Sequence, residues 1–285
     1  MHHGNAPRFK SARKSDCILK NRMSIDFHTH IFPPESAPSI LNQLLDRGNI
    51  RHFTDGTVEG LLTAMEKSSV NLSLFSRITT RAENIAPVNQ WLRQCTREHI
   101  KPMATWHPDM PAATSDLEAL KAHGFKGFKL HPDYQGFFVD DPRMYSFYEA
   151  AQAVQMPVLI HAGLDRGLPP PVHATPQRLL KVHRQFPRMI IVAAHMGGED
   201  NYDETETHLL GKEIYLDTSF VLRIMDRDIL KRFFRKHSVE RILFGSDSPF
   251  TDQAVELNYL FDLPFLTASE KDKVAGKNAA ALLCE

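Results

Sequence analysis

Two histidines close the first apolar run of the chain. His28 and His30 lie two positions apart in the stretch SIDFHTH, residues 24–30. Side chains alternate along a β-strand, so residues two apart point to the same face. Two imidazoles on one face can bind one cation, at about 2.0–2.1 Å from each nitrogen. The spacing therefore predicts part of a metal site at the end of a strand.

Further ionisable side chains end four later apolar runs. They are Lys129, His131, His161, His195 and Asp247. Burying such groups without partners costs on the order of several kcal/mol each, whereas a shared metal ion satisfies them together. Imidazole and carboxylate ligands favour zinc, iron, nickel or cobalt over magnesium or calcium. Zn²⁺ is the expected ion, and Mn²⁺, Fe²⁺, Ni²⁺ and Co²⁺ remain alternatives.

Eight short apolar strands must position these side chains. They are predicted at residues 24–30, 71–77, 101–106, 125–131, 157–163, 189–195, 214–219 and 241–247. Segments of helical period lie between them, at residues 57–70, 86–99, 113–124, 141–155, 175–186 and 226–237. The alternation predicts an α/β fold, a single (β/α)₈ TIM barrel over residues 23–285. The carboxyl ends of the strands form the active face of such a barrel, and the ionisable side chains fall there.

Charge and composition argue against several partners. Lys+Arg and Asp+Glu both total 34, which gives no support for binding nucleic acid. No apolar run approaches the ~18 residues of a membrane helix. The three cysteines are far apart in the sequence and fit a reducing compartment, so we expect a cytoplasmic protein. The basic stretch of residues 1–22 lacks the apolar centre of a secretion signal, and we expect a disordered tail there.

Four motifs follow the order of the predicted barrel. DFHTH, LIHAG, AHMGG and LFGSDSPF end strands 1, 5, 6 and 8. With these motifs the chain resembles the amidohydrolase superfamily, in the branch that contains aminocarboxymuconate semialdehyde decarboxylase. The resemblance implies that His28, His30 and His161 are metal ligands and that Asp247 is a ligand or proton acceptor. It also implies that His195 lies beside the metal-bound water or the substrate, or binds a second metal.

Lys129 leaves the number of metal ions open. Binuclear members of the superfamily often bridge two ions with a carbamylated lysine from strand 4, and Lys129 in GFKGFKLHP is close to that position. Lys129 could instead bind a substrate carboxylate or pair with Asp133. The sequence is therefore compatible with one ion or with two.

The resemblance implies an enzyme, a metal-dependent hydrolase that uses a metal-activated water on a small polar substrate. The alternative is a metal-dependent decarboxylase, a lyase of small unsaturated carboxylic acids that would use the same site. Candidate substrate-binding residues are His131, Arg77 and Arg166, although a surface or loop-anchoring role explains the two arginines more simply. The expected partner is a small molecule, and members of the superfamily often pair, which leaves a homodimer open.

Three further segments receive simple interpretations. Asp217 in YLDTS is predicted to orient a ligand histidine. His173 is interpreted as a helix-entry residue ahead of Thr175, which would cap that helix. The acidic stretch GGEDNYDETET, residues 197–207, is interpreted as a solvated loop.

Overall fold

The computed structural model describes residues 22–284. The predicted tail, residues 1–22, lies outside the described residues except for Arg22, whose guanidinium is 3.3 Å from the Asp272 carboxylate. Among the described helices, none combines the length and apolar character that a membrane span requires.

Apolar runs rich in Ile, Val, Leu and Phe form nine parallel strands in the described part of the chain. In chain order they are β1 Ile25–His30, β2 Leu72–Ser76, β3 Ile100–Pro102, β4 Ala104–Thr105, β5 Phe128–Leu130, β6 Val158–Ile160, β7 Ile191–Ala193, β8 Tyr215–Asp217 and β9 Ile242–Leu243. Every predicted strand segment overlaps one of them, and the third overlaps both β3 and β4.

The third strand is divided at Met103 without interrupting the barrel. β1 to β3 form one ladder and β4 to β9 form another. Met103 donates its N–H to the Phe75 carbonyl at 2.8 Å, and Ala104 donates to the Gly127 carbonyl at 2.8 Å. The backbone therefore passes from pairing with β2 to pairing with β5 within two residues.

The barrel closes between β1 and the segment that follows β9. Phe27 donates its N–H to the Phe244 carbonyl at 2.8 Å, and Asp247 donates to the His28 carbonyl at 2.9 Å. The predicted (β/α)₈ barrel is confirmed. Because its first and last strands meet, their carboxyl ends contribute to one face.

Helices surround the barrel, and each of the six predicted helical segments contains or overlaps one of them. They are α1 Ala37–Gly48, α2 Val58–Ser68, α3 Ile85–Gln94, α4 Thr114–Ala122, α5 Pro132–Gln135, α6 Tyr145–Val154, α7 Pro176–Gln185, α8 Tyr202–His208, α9 Arg227–Lys236, α10 Gln253–Asp262, α11 Ala268–Asp272 and α12 Asn278–Cys284. Thr175 caps α7 as predicted, since its side-chain oxygen accepts from the Arg178 N–H at 3.4 Å.

Two apolar cores hold the strand ends in place. A smaller core includes Phe27, Leu74, Leu159, Val192 and Leu243, one buried side chain from each of five strands. A larger core packs the strands against the surrounding helices. The polar side chains at the strands' carboxyl ends therefore rest on a rigid, close-packed base.

A bulge in β1 separates two polar side chains that strict alternation would place on one face. The pairing of β1 with β2 shifts register between Asp26 and Thr29. Asp26 accepts a hydrogen bond from Gln253 of α10 at 2.7 Å, outside the strand ring. His28 instead contacts Lys129 and Asp217. The bulge thus directs His28 toward the cavity while Asp26 anchors a helix.

Candidate metal centre

A cavity of about 840 Å³ opens at the carboxyl ends of the strands. Every side chain predicted for the site lines it, so the structure brings together residues from the ends of six strands. The nine residues are His28, His30, Arg77, Lys129, His131, His161, Arg166, His195 and Asp247.

Three of these residues direct ligand-type atoms at one another. The Nε2 atoms of His28 and His30 are 3.1 Å apart. Asp247 Oδ1 is 3.3 Å from His28 Nε2 and 3.1 Å from His30 Nε2. All three side chains are largely buried, with none more than 14% exposed. We call these residues the His28–His30–Asp247 group.

The protonation of His28 follows from its partners. Its Nδ1 is 2.8 Å from Asp217 Oδ2, and both side chains are fully buried. Burial, reinforced by Lys129, lowers the pKa of His28 to about 3, so the imidazole is neutral at pH 7. Asp217 is ionised, because His28 outweighs the effect of burial and lowers its pKa. The ring proton therefore lies on Nδ1, and Nε2 presents a lone pair to the cavity. The predicted orienting role of Asp217 matches this contact.

The His28–His30–Asp247 group fits a divalent metal ion. Burial disfavours the Asp247 carboxylate, yet the neighbouring imidazoles outweigh it and hold its pKa well below the usual range. A carboxylate oxygen thus lies near the His28 lone pair, and two acceptors at this distance repel unless a cation offsets them, either the Lys129 ammonium 2.7 Å from His28 Nε2 or a bound metal ion. Ligands about 2.1 Å from one ion are about 3.0–3.4 Å apart in octahedral or tetrahedral sites, as these atoms are.

Two site residues hold the left-handed backbone conformation. φ is 74° at Asp247 and 58° at His195. This conformation costs a non-glycine residue on the order of 1–2 kcal/mol. Strain of this kind clusters at functional sites, where the surrounding packing imposes it.

Lys129 lies beside the His28–His30–Asp247 group. Its Nζ is 2.7 Å from His28 Nε2, and burial lowers the pKa of Lys129 to about 8 even though Asp247 favours its charged form. The alternative pairing of Lys129 with Asp133 is wrong. Asp133 instead accepts a hydrogen bond from His173 Nδ1 at 2.8 Å, which gives His173 a contact beyond its predicted helix-entry role.

His161 and His195 form a second pair of imidazoles. His195 Nδ1 is 3.0 Å from the Ser219 carbonyl oxygen, which only accepts hydrogen bonds, so the His195 ring proton lies there. His195 Nε2 then presents a lone pair to His161 Nδ1 at 3.0 Å. The buried Nε2 of His161 has no hydrogen-bond partner among the described residues.

Asp165 is a site residue that the sequence did not reveal. Its Oδ2 is 3.2 Å from His131 Nε2 and 4.0 Å from His161 Nε2. The rings of His131 and His161 stack with centroids 3.9 Å apart. Together these three residues form a second candidate group of metal ligands, whereas His161 is not part of the first. The sequence signal that could have revealed Asp165 is its position four residues after the candidate ligand His161.

The acidic stretch after His195 is more ordered than predicted. Residues 202–208 form α8, and Glu199 is only 3% exposed. The Glu199 carboxylate accepts a hydrogen bond from Arg166 Nε at 2.5 Å. The interpretation of this stretch as a solvated loop is wrong at Glu199, because Arg166 compensates its burial. The geometry of Arg166 supports the loop-anchoring alternative.

A barrel with clustered histidines and acids at its mouth defines a class of metal-dependent α/β-barrel enzymes. A family model described as Amidohydrolase matches residues 25–283. The chain belongs to this family. It is therefore an enzyme of the amidohydrolase superfamily, and the two groups of candidate ligands are where its fold can bind metal.

Solved structures with the same fold share little sequence with the chain. The 5-carboxyvanillate decarboxylase LigW from Sphingomonas paucimobilis is 14% identical, over 93% of this chain and 99% of that chain, with a TM-score of 0.68. The 2,6-dihydroxybenzoate decarboxylase from Rhizobium is 18% identical, over 92% of this chain and 99% of that chain, with a TM-score of 0.66. A Pseudomonas putida protein assigned as a 2-pyrone-4,6-dicarboxylic acid hydrolase is 14% identical, over 93% of this chain and 98% of that chain, with a TM-score of 0.66. A comparison with curated protein sequences finds no significant match.

Proposed function

We propose that the protein is a metal-dependent hydrolase that acts on a small polar substrate in the cavity. The observation that carries this proposal is the convergence of His28 Nε2, His30 Nε2 and Asp247 Oδ1, which lie 3.1 to 3.3 Å from one another. The proposed ion is Zn²⁺, since two imidazoles and a carboxylate match its ligand preferences. When bound, Zn²⁺ lowers the pKa of a coordinated water to about 7 and polarises a substrate carbonyl oxygen.

Asp247 is the proposed proton carrier. It is ionised over the ordinary pH range, so a carboxylate oxygen can take the proton of the attacking water and return it to the leaving group. Asp247 lies four residues beyond the end of β9, and its position is held by the bond from its N–H to the His28 carbonyl. The base and the imidazole pair are thereby fixed to one another through the backbone.

His195 has a role that depends on its protonation. Because Nδ1 donates to the Ser219 carbonyl, neutral His195 presents only a lone pair at Nε2. In that form it binds a cation or accepts a proton, and it donates to a developing negative charge only after protonation. We therefore propose His195 as a second proton acceptor, next to His161.

One ion per chain is the proposed stoichiometry. In binuclear relatives a lysine at the place of Lys129 bridges the two ions, whereas an ammonium, as Lys129 is here, does not coordinate metal. Two ions that share Lys129 as a bridging ligand therefore require its carbamylated form, in which a carboxylate replaces the charge. Metal analysis together with intact mass, which detects the added carbon dioxide, distinguishes the two states.

Decarboxylation of a small unsaturated carboxylic acid is the second candidate function. Two of the similar structures are decarboxylases, of 5-carboxyvanillate and of 2,6-dihydroxybenzoate. The same side chains can serve this reaction. Asp247 or His195 would first take a proton from water, leaving hydroxide, and deliver it to carbon. A C–H bond would form, and the C–C bond to the carboxylate would break to release carbon dioxide.

A substrate screen of the zinc-loaded protein tests the proposal. Esters, lactones and amides are assayed for acid release, and unsaturated carboxylic acids are assayed for carbon dioxide. We expect hydrolysis, and Asp247→Asn should lower kcat at least a hundredfold while the protein stays folded. Carbon dioxide release without hydrolysis would favour the decarboxylase, and near-wild-type turnover in Asp247→Asn would contradict the assigned role of Asp247.

A further inference from the structure

Arg77 lies in the cavity wall with its charge unpaired. Its guanidinium is 5.6 Å from the centroid of the Trp91 ring. In the described part of the chain, no carboxylate oxygen lies within 4.0 Å of it. The side chain is half-buried, and burial lowers the pKa of Arg77. A guanidinium partly removed from water without an anion is an unfavourable arrangement, which a ligand carboxylate would correct.

The other arginines of the cavity are arranged differently. Arg166 already pairs with the buried Glu199 carboxylate. Arg47 is exposed on the last turn of α1, where water solvates its charge. Glu35 is the acid that most influences Arg77, but it is exposed and lies beyond ion-pair distance. Arg77 is therefore the cavity arginine that combines partial burial with a free charge.

The chain connects Arg77 directly to the metal centre. Arg77 follows Ser76, the last residue of β2, and Ser76 Oγ is 3.3 Å from His30 Nδ1. Arg77, Trp91 and the His28–His30–Asp247 group line one continuous cavity. A small molecule can thus contact the guanidinium and the metal centre at once.

We propose that Arg77 and Trp91 form a binding site for a carboxylate of the substrate, separate from the group that reacts at the metal centre. The carboxylate accepts two N–H bonds from the planar guanidinium. Trp91 holds the guanidinium by its ring face and covers the apolar part of the ligand. The substrate is then an organic acid with a second functional group. This inference rests on the proposed function, because it assumes that the reacting group lies at the metal centre.

The test compares ligands that differ by one charge. Isophthalate, terephthalate and glutarate are each titrated into the zinc-loaded protein beside the corresponding monoamide. Quenching of tryptophan fluorescence reports binding, and Trp91→Phe assigns the signal to Trp91 rather than to the buried Trp106. We expect at least one dicarboxylate to bind at least ten times more tightly than its monoamide.

Three variants test whether Arg77 causes the preference for a dicarboxylate over its monoamide. In Arg77→Gln the dicarboxylate should bind no better than its monoamide, and Arg77→Lys should recover part of the preference as a point charge. Glu35→Gln should strengthen dicarboxylate binding, because it removes the competing acid. Arg81→Gln is the matched control, since the Arg81 side chain is 72% exposed and near the same strand end.

The proposal is overturned if no dicarboxylate is preferred by the wild-type protein, or if the preference survives in Arg77→Gln at unchanged zinc content. It is also overturned if Arg81→Gln loses the preference to the same extent. Binding is measured without turnover. A preference that depends on Arg77 in a protein without hydrolase or decarboxylase activity would therefore refute the proposed function and leave this site standing.

Discussion

At the scale of single residues, the site depends on which nitrogen of each imidazole carries the proton. Asp217 fixes the proton of His28 on Nδ1, and the Ser219 carbonyl fixes that of His195 on Nδ1. In both rings Nε2 is left as a lone pair in the cavity. Neither neighbour touches the cavity itself, yet together they decide what the cavity can bind.

Asp217→Asn should weaken zinc binding ten- to a hundredfold, because the amide lacks the charge that holds the His28 tautomer and raises its basicity. Competition with a chromophoric chelator measures the affinity. Asp262→Asn, on the exposed last turn of α10, is the control and should bind zinc like the wild type. Equal zinc affinities in all three proteins would show that Asp217 has no influence on the site.

The residue types were visible in the sequence, but their partners were not. His28, His30 and Asp247 could be predicted because strand ends in a barrel meet at one face. Asp165 and Glu199 could not be predicted, because each lies in a loop whose path depends on contacts between distant strands. An acid in a loop is solvated unless a cation reaches it, and only the structure shows Arg166 beside Glu199.

At the scale of the elements, the strands were easier to predict than their irregularities. Each of the eight apolar runs overlaps a strand of the structure. The sequence pattern gave no indication, however, of the break at Met103 or the bulge in β1. Both irregularities adjust neighbouring strands to one another, so they arise from pairing rather than from local preference. The bulge nevertheless decides whether His28 or Asp26 faces the cavity.

Gly163→Ala should be strongly destabilising. Gly163 follows β6 with φ at +85°, and an added Cβ would be 2.2 Å from the Glu199 nitrogen. Gly124→Ala is the control, since Gly124 has φ at +90° with nothing within 4 Å of its Cβ position. We expect a loss of about 1–2 kcal/mol at Gly124 from backbone strain alone, and a clearly larger loss at Gly163. Denaturant unfolding measures both, and equal losses would show that the Glu199 loop moves away freely.

His237, at the end of α9, should make stability depend on pH. Its Nδ1 accepts from the Gly211 N–H at 3.1 Å, and its Nε2 donates to the Ile214 carbonyl at 3.0 Å. Burial lowers the pKa of His237 to about 4 from 6.5. The unfolded chain therefore takes up a proton first as the pH falls, and the folded state loses up to about 3 kcal/mol between pH 6.5 and 4.

Comparison with His237→Gln isolates this effect. The free energy of unfolding of the wild type should fall more steeply below pH 6.5 than that of the variant, at equal metal content. His99→Gln serves as the control, because the His99 side chain is 64% exposed. Parallel profiles for the wild type and His237→Gln would mean that burial of this imidazole has no cost.

At the scale of the whole molecule, the candidate metal centre lies where β1 meets the segment after β9, a closure that is otherwise held by backbone hydrogen bonds and the core. Under the proposed function zinc binds only the folded state, so adding it should stabilise the protein by about 2.7 kcal/mol at a hundredfold excess over Kd. That corresponds to a rise of several degrees in Tm. Calorimetry with zinc and after chelation measures the difference.

The double variant His28→Gln/His30→Gln should show no such response and should contain no zinc after purification. Stoichiometric zinc in this variant, or a rise in Tm equal to that of the wild type, would place the ligands elsewhere. The His131–His161–Asp165 group would then be the site to examine.

The closure of the barrel also sets an order of events. His30 and Asp247 are 217 positions apart in the sequence, and they meet only because β1 pairs with the segment after β9. A nascent chain that still lacks its last strand contains His30 but has no Asp247 opposite it. An ion held between His30 and Asp247, as proposed, can therefore bind only after the final strand is docked, so that metal at this group would mark the completion of folding.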